Sequence, residues 1–477
     1  MDIDDTQEED ETRASLTLCA ICHFTLAEPC TLMCGHNFDR RCLRRHLAHA
    51  AAHPSCPLCR APTHPSHLPP VNTMLKALIA LSYPDAHLKR TAQFALEDRA
   101  AELRRAAGQG KLDQVLALLA SSCAPDAPDE SDGMTPLMLA AHQGHVDVIA
   151  ALVRSGADVS AQDKCRCTAL NYAAGKGHVD VIAALLGAGA LVDARDEDGR
   201  TALMRAASND RLPAVEALLA AGADRDATSD AGSTALLLAA EGGHDDAVRA
   251  LASAGANLEA RGENGRTALA NACHHGRLST VEALVAAGAD VESRDPDGLT
   301  GLMLAAREAY VGVEDVLLGA ASSASSKAKP PAFQIVSSRD GSGWTALMHA
   351  AHRGNARAIT PLISSGADLE AASKIGCTAL MYASMMGNVA ALLKLVAAGA
   401  LLDAKNLVGK TALMLAADHG SVGAVEALVA AGADLELRDV EGQTALACAV
   451  CEGHVGVVDA LIAAGADTSA AFDLCSS

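Results

Sequence analysis

Aromatic side chains are scarce in this 477-residue chain, at 2% of residues with a single tryptophan, Trp344. A core of ordinary thickness needs more bulk than that. Thin layers of close-packed helices do not, so the composition points to a helical repeat. An excess of positive charge is also missing. The formal net charge is −20, which argues against nucleic acid as a partner. No apolar stretch reaches spanning length before Gly, Asp or Ser breaks it, which argues against membrane insertion. The opening MDIDDTQEEDE is acidic and lacks the apolar segment of a signal peptide. It reads as a solvated tail over residues 1–14. The expectation is a soluble, cytoplasmic protein, with the nucleus left open.

Cysteine is not scarce, but its distribution is uneven. Of fifteen cysteines, seven fall between Cys19 and Cys59, interspersed with histidines. In a reducing compartment such a cluster is better explained by metal than by disulfides. The candidate ligands are spaced as pairs: Cys19-x2-Cys22, Cys34-x-His36, Asp39-x2-Cys42 and Cys56-x2-Cys59. Two ligands two or three residues apart suit Zn²⁺, because a tight turn lets both reach one tetrahedral ion. Four pairs imply two ions. Asp39 stands where a cysteine or histidine is expected, yet a carboxylate oxygen is an accepted zinc ligand. Cys30 and His23 lack the spacing to replace it.

The phrases C-A-I-C, C-G-H-x-F, R-R-C-L and C-P-L-C-R make residues 15–70 resemble a RING finger. The resemblance implies interleaved sites, with Cys19, Cys22, Asp39 and Cys42 on one zinc and Cys34, His36, Cys56 and Cys59 on the other. It further implies a ubiquitin ligase that holds a ubiquitin-charged conjugating enzyme. Ile21 matches the family's apolar contact, Pro57 the proline of the second zinc loop, and Arg60 the basic residue that clamps ubiquitin against the enzyme. No covalent intermediate forms on such a protein. The tryptophan that many members carry four residues after the sixth ligand is His46 here. Downstream, over 71–98, a helical linker is expected; VNTMLKALIALSY sets Met74, Leu75, Leu78 and Ile79 on one helical face.

From residue 131 the chain repeats itself. Thr135, Thr168, Thr201, Thr234, Thr267 and Thr300 lie 33 residues apart, and Thr345, Thr378, Thr411 and Thr444 continue the period after a step of 45. Gly stands two residues before the threonine in nine of the ten units, where a hairpin tip needs positive φ; Arg166 is the exception. The threonine is suited to cap a first helix, T-A-L-x-x-A-A, and a second helix such as HVDVIAALVRSG ends at a glycine. No unit can bury its apolar face alone, so neighbours must cover it.

This pattern resembles the ankyrin repeat over about 131–467. It implies a mainly α solenoid of about ten repeats behind a small N-terminal zinc-binding RING domain. Residues 99–130 read as a degenerate capping repeat, 131–320 as repeats one to six and 334–467 as repeats seven to ten, with a short tail over 468–477. The family's proline survives only at Pro136, and its histidine two positions on is Met138, Asn171 or Met204, so the side-chain bond at each helix start is expected to be lost. The surplus at 321–333, rich in Ser, Ala, Lys and Pro, reads as a loop without a packed element. Cys165-x-Cys167 reads as a hairpin tip without partners, Cys448-x2-Cys451 falls on a first helix where small apolar residues belong, and the histidines after glycine (His145, His178, His244, His454) recur as structural positions. Two functions follow from the combined resemblance: a ligase whose array recruits an unknown protein substrate, or a non-catalytic scaffold with a structural zinc module.

Overall fold

The computed structural model describes residues 29–31, 37–39, 84–308, 310, 312–322 and 332–468. The acidic tail, the apolar face at Met74–Ile79 and all expected zinc ligands except Asp39 lie outside the described residues. Among those described, the chain is mainly α, with 23 helices and one two-stranded ribbon. No helix among them is long and apolar enough to cross a membrane. In the ribbon, β1 (Pro29–Thr31) runs antiparallel to β2 (Asn37–Asp39), pairing Pro29 with Asp39 and Thr31 with Asn37.

The array opens with α1 (Pro84–Gly108) and α2 (Leu112–Ala120). Helix α1 runs unbroken through residue 98, so the segment read as linker and the start of the capping repeat share one element. Leu103, Ala106 and Ala107 are buried against unit 1. Ten units follow, each with an inner and an outer helix. They run from Pro136–Gln143 and Val146–Arg154 to Ala445–Cys451 and Val455–Ala463. Inner helices stack on inner helices and outer on outer, so each unit touches only its neighbours, and one buried cluster runs through the whole stack.

The sequence pattern accounts for each piece of the unit. At the start of the inner helix the threonine hydroxyl accepts the amide three residues on, at 3.3 Å from Met138 and 3.4 Å from Met204. The reciprocal bond is not lost everywhere, contrary to expectation. Asn171 Oδ1 accepts from the Thr168 amide at 3.1 Å, and Met138, Met381 and Met414 offer sulfur at 3.4–3.5 Å. Asparagine can serve as the missing acceptor, and thioether sulfur is a weaker one. The paired alanines of seven of the ten inner helices, such as Ala206 and Ala207, are fully buried and keep the layer thin. Ala207→Leu should therefore overpack it and cost about 1–3 kcal/mol, read as a lower urea midpoint.

Repeated histidines bind successive units. Nε2 of His178 donates to the His142 carbonyl at 3.1 Å, and His145, His244 and His454 make the same bond to the preceding unit. Because the partner is a carbonyl, the Nε2 tautomer is required. Asn388 substitutes for histidine, donating to the Ala351 and His352 carbonyls. Of the surplus read as a loop over 321–333, residues 332–333 open the helix Ala332–Ser337, whose Ile335 and Val336, just beyond the surplus, are buried. Val336 stands nine residues before Thr345, as buried Val291 does before Thr300, so the new helix resumes the core at that register. The stack continues across this point, because Asn355 Nδ2 donates both to the Ala306 carbonyl and to buried Glu314.

Candidate functional site: a zinc module and a hairpin surface

Of the sequence-derived zinc ligands, Asp39 alone falls in the described residues, at the end of β2 farthest from the connection over residues 32–36. Cys19, Cys22, Cys34, His36, Cys42, Cys56 and Cys59 lie outside them, as do Ile21, Pro57 and Arg60. No group of three or more His, Cys, Asp or Glu side chains among the described residues could hold a metal. Thiolate, imidazole and carboxylate donors in closely spaced pairs suit zinc.

The array is built around a second set of carboxylates, which the sequence reading overlooked. Five residues before the threonine stands an aspartate in several units. Asp196 is 1% exposed and accepts from the Asp198 and Arg200 amides at 3.0 and 2.8 Å, closing the hairpin tip on itself. Asp163, Asp295, Asp340 and Asp439 do the same in their units, and Asn406 substitutes for one. The second oxygen reaches an inner helix. Asp196 takes Arg205 Nε at 2.8 Å and Nη2 at 2.6 Å; Asp163 takes the Tyr172 hydroxyl at 2.5 Å; Asp340 takes His349 Nε2 at 2.9 Å. The signal was available as an aspartate recurring at that offset from threonine.

These networks are structural rather than catalytic. Burial lowers the His349 pKa, and Asp340 only partly offsets it. Burial pushes the Cys167 thiol up to about 11 and Cys448 up to about 12, and raises Cys273 further. Such thiols are protonated at neutral pH and poor nucleophiles. Cys167 accepts from Arg205 Nη2 at 3.0 Å, which ties unit 2 to unit 3. Trp344, half-buried, packs at a tilt against Tyr382 with ring centroids 4.1 Å apart and against His349 and His352 at 5.1 and 5.2 Å. Its role is packing between units 7 and 8.

A family model for ankyrin repeats matches residues 103–196, 185–262, 203–295, 302–406 and 391–471, together well over half of the chain. The chain belongs to the ankyrin-repeat family. A second model, for the C3HC4-type zinc finger or RING finger, matches residues 19–59, and a RING finger implies bound zinc. This ankyrin-repeat protein is similar to tripartite motif-containing protein 10 of Bos taurus, 45% identical over 56 residues, 11% of this chain and 12% of that protein. It is similar to RING finger protein 207 of Bos taurus, 36% identical over 91 residues, 18% of this chain and 16% of that protein. A third relative, E3 ubiquitin-protein ligase rnf213-beta of Danio rerio, is 38% identical over 79 residues, 17% of this chain and 2% of that protein. The chain thus spans 12% of the length of the first of these relatives.

Proposed function

We propose that this ankyrin-repeat protein is a RING-type ubiquitin ligase whose array recruits a protein substrate to a ubiquitin-charged conjugating enzyme. The observation that carries the reading is the RING match at residues 19–59 in one chain with a continuous ten-unit stack. Similarity to a relative named as an E3 ubiquitin-protein ligase supports it. In this reading the protein supplies no nucleophile. Ile21 and Pro57 contact the conjugating enzyme, Arg60 restrains ubiquitin, and the array raises the local concentration of a target lysine. The test combines purified protein, activating enzyme, a panel of conjugating enzymes, ubiquitin and ATP. Accelerated discharge of ubiquitin with at least one enzyme is expected. No acceleration across the panel would leave the scaffold reading, which the aspartate at 39 and the histidine at 46 favour.

Two zinc ions complete the proposal. Cys19, Cys22, Asp39 and Cys42 would hold one, and Cys34, His36, Cys56 and Cys59 the other. Zinc here would fix the loops that carry Ile21, Pro57 and Arg60. Asp39→Ala is expected to lower the zinc content from two ions to one, and Asp39→Cys to make the first ion harder to remove with chelator. Metal analysis that finds the same zinc content in Asp39→Ala as in wild type removes Asp39 from the ligand set.

A further inference from the structure

Every other unit carries a polar side chain five residues before its threonine, whereas unit 5 carries Gly262. Where aspartate stands there it spans from hairpin to inner helix, as Asp196 does toward Arg205. In unit 5 the closure passes to Asn264. Its Oδ1 accepts from the Arg266 amide at 3.0 Å, and its Nδ2 donates to Asn271 Oδ1 at 3.2 Å. A groove of about 300 Å³ is left between this hairpin and the inner helix of unit 4, Ala235–Gly242. Packing does not demand glycine here. A Cβ on Gly262 would lie 3.6 Å from Asn264 Oδ1 and 3.7 Å from Leu237 Cδ1, both ordinary contacts, and its φ is not positive.

The groove is lined by polar groups that have no partner among the described residues. Glu241 and Glu263 are exposed and enter no ion pair, and the Ser233 hydroxyl enters no hydrogen bond. Asn271 is only 6% exposed; its Oδ1 is taken by Asn264, and its Nδ2 is left as a free donor on the groove. Leu237 adds an apolar wall. No cation lines the space, and those nearby are engaged elsewhere. Arg266 pairs with buried Asp295 of unit 6 at 3.2 Å, and Arg261 Nη1 donates to the Gly265 carbonyl and to that of Arg294 in unit 6. His274 faces Glu308 at 3.8 Å. Arg277 lies along Gly243 and pairs with neither glutamate.

We infer that this groove is a recognition pocket for one lysine or arginine residue of a partner protein segment. The cation pairs with Glu241 and Glu263, its aliphatic stem lies along Leu237, and Asn271 Nδ2 donates to a main-chain carbonyl of the segment. The mixture of groups selects this occupant. A free polyamine offers no acceptor to Asn271, a metal ion has no use for an amide donor, and an acidic or purely apolar segment leaves two carboxylates unmatched. The inference rests on the array being the recruiting surface and names the residue type that it reads.

The experiment selects peptides from a random displayed library on the full-length chain, with counter-selection on Gly262→Asn, which places in the groove the residue that unit 9 carries as Asn406. Enriched peptides are then measured by fluorescence anisotropy. Each is expected to depend on one basic residue, to lose binding when that residue is acetyllysine or citrulline, and to bind more tightly as salt is lowered. Glu241→Gln with Glu263→Gln keeps the shape of the groove, removes its charge and should weaken the peptides about tenfold. Both glutamates are exposed, so an unchanged thermal melt is expected, and this pair decides the inference even if Gly262→Asn fails to fold. Ubiquitin discharge without substrate should be the same in wild type and variants, so peptide binding is scored whether or not the ligase reading survives. No enrichment, enriched peptides without an essential basic residue, or affinities indifferent to the glutamine pair overturns the inference. Spermidine bound as tightly as the peptides also overturns it, by assigning the groove to a free amine.

Discussion

Arg60→Ala is expected to retain zinc, fold and most of its affinity for a conjugating enzyme while discharging ubiquitin on the order of a hundredfold more slowly. Under the proposed function the guanidinium contacts enzyme and ubiquitin together and confines the thioester to a reactive arrangement. A group that restricts geometry contributes to rate more than to affinity. Ile21→Ala should behave in the opposite way, because it removes apolar contact and weakens binding itself. Single-turnover discharge at saturating and limiting ligase separates the two effects. Equal rates for wild type and Arg60→Ala would keep the ligase but withdraw this role from the arginine.

The second large effect belongs to the array. Asp196→Ala should destabilise it by about 1–3 kcal/mol, mainly through the amides it leaves without an acceptor, because the Arg205 side chain keeps 30% of its surface in water. The substitution strips partners from the Asp198 and Arg200 amides and from the Arg205 guanidinium, at a site where the aspartate is 1% exposed. Its neighbours would be left with donors that only solvent can meet. Asp196→Asn keeps an acceptor for the two amides and should cost less. Adding Arg205→Ala to Asp196→Ala should recover part of the loss, since the uncompensated charge goes with it. Because units are coupled only to neighbours, the damaged joint is expected to split urea unfolding into two transitions. A single unshifted transition for Asp196→Ala would show that the hairpin closes without its carboxylate.

Periodic features were legible in the chain because each repeats with the unit. A threonine every 33 residues gave the inner-helix starts. Glycine two residues earlier gave the positive-φ tips, and even the exception held its conformation: Arg166 has φ of +58°. Alanine pairs gave the thin buried layer, and the post-glycine histidines gave the joints between units. Each depends on local backbone geometry or on a neighbour one repeat away, so sequence separation alone locates the partner.

What sequence by itself determined, then, was the architecture, the family of the array and the RING finger with the zinc it implies, since those follow from spacing over a few residues or one fixed period. Tertiary structure decided the rest. Asp196 and Arg205 became a pair because a hairpin folded back onto an inner helix. Ala332–Ser337 became helical just beyond the Ser-, Lys- and Pro-rich surplus, because Ile335 and Val336 had a core to enter. Glu241 and Glu263 belong to different units, and only the stacking of unit 5 on unit 4 sets them on one groove. Burial and juxtaposition are properties of the assembled stack, and the free energy that fixes them comes from neighbours the linear pattern does not rank.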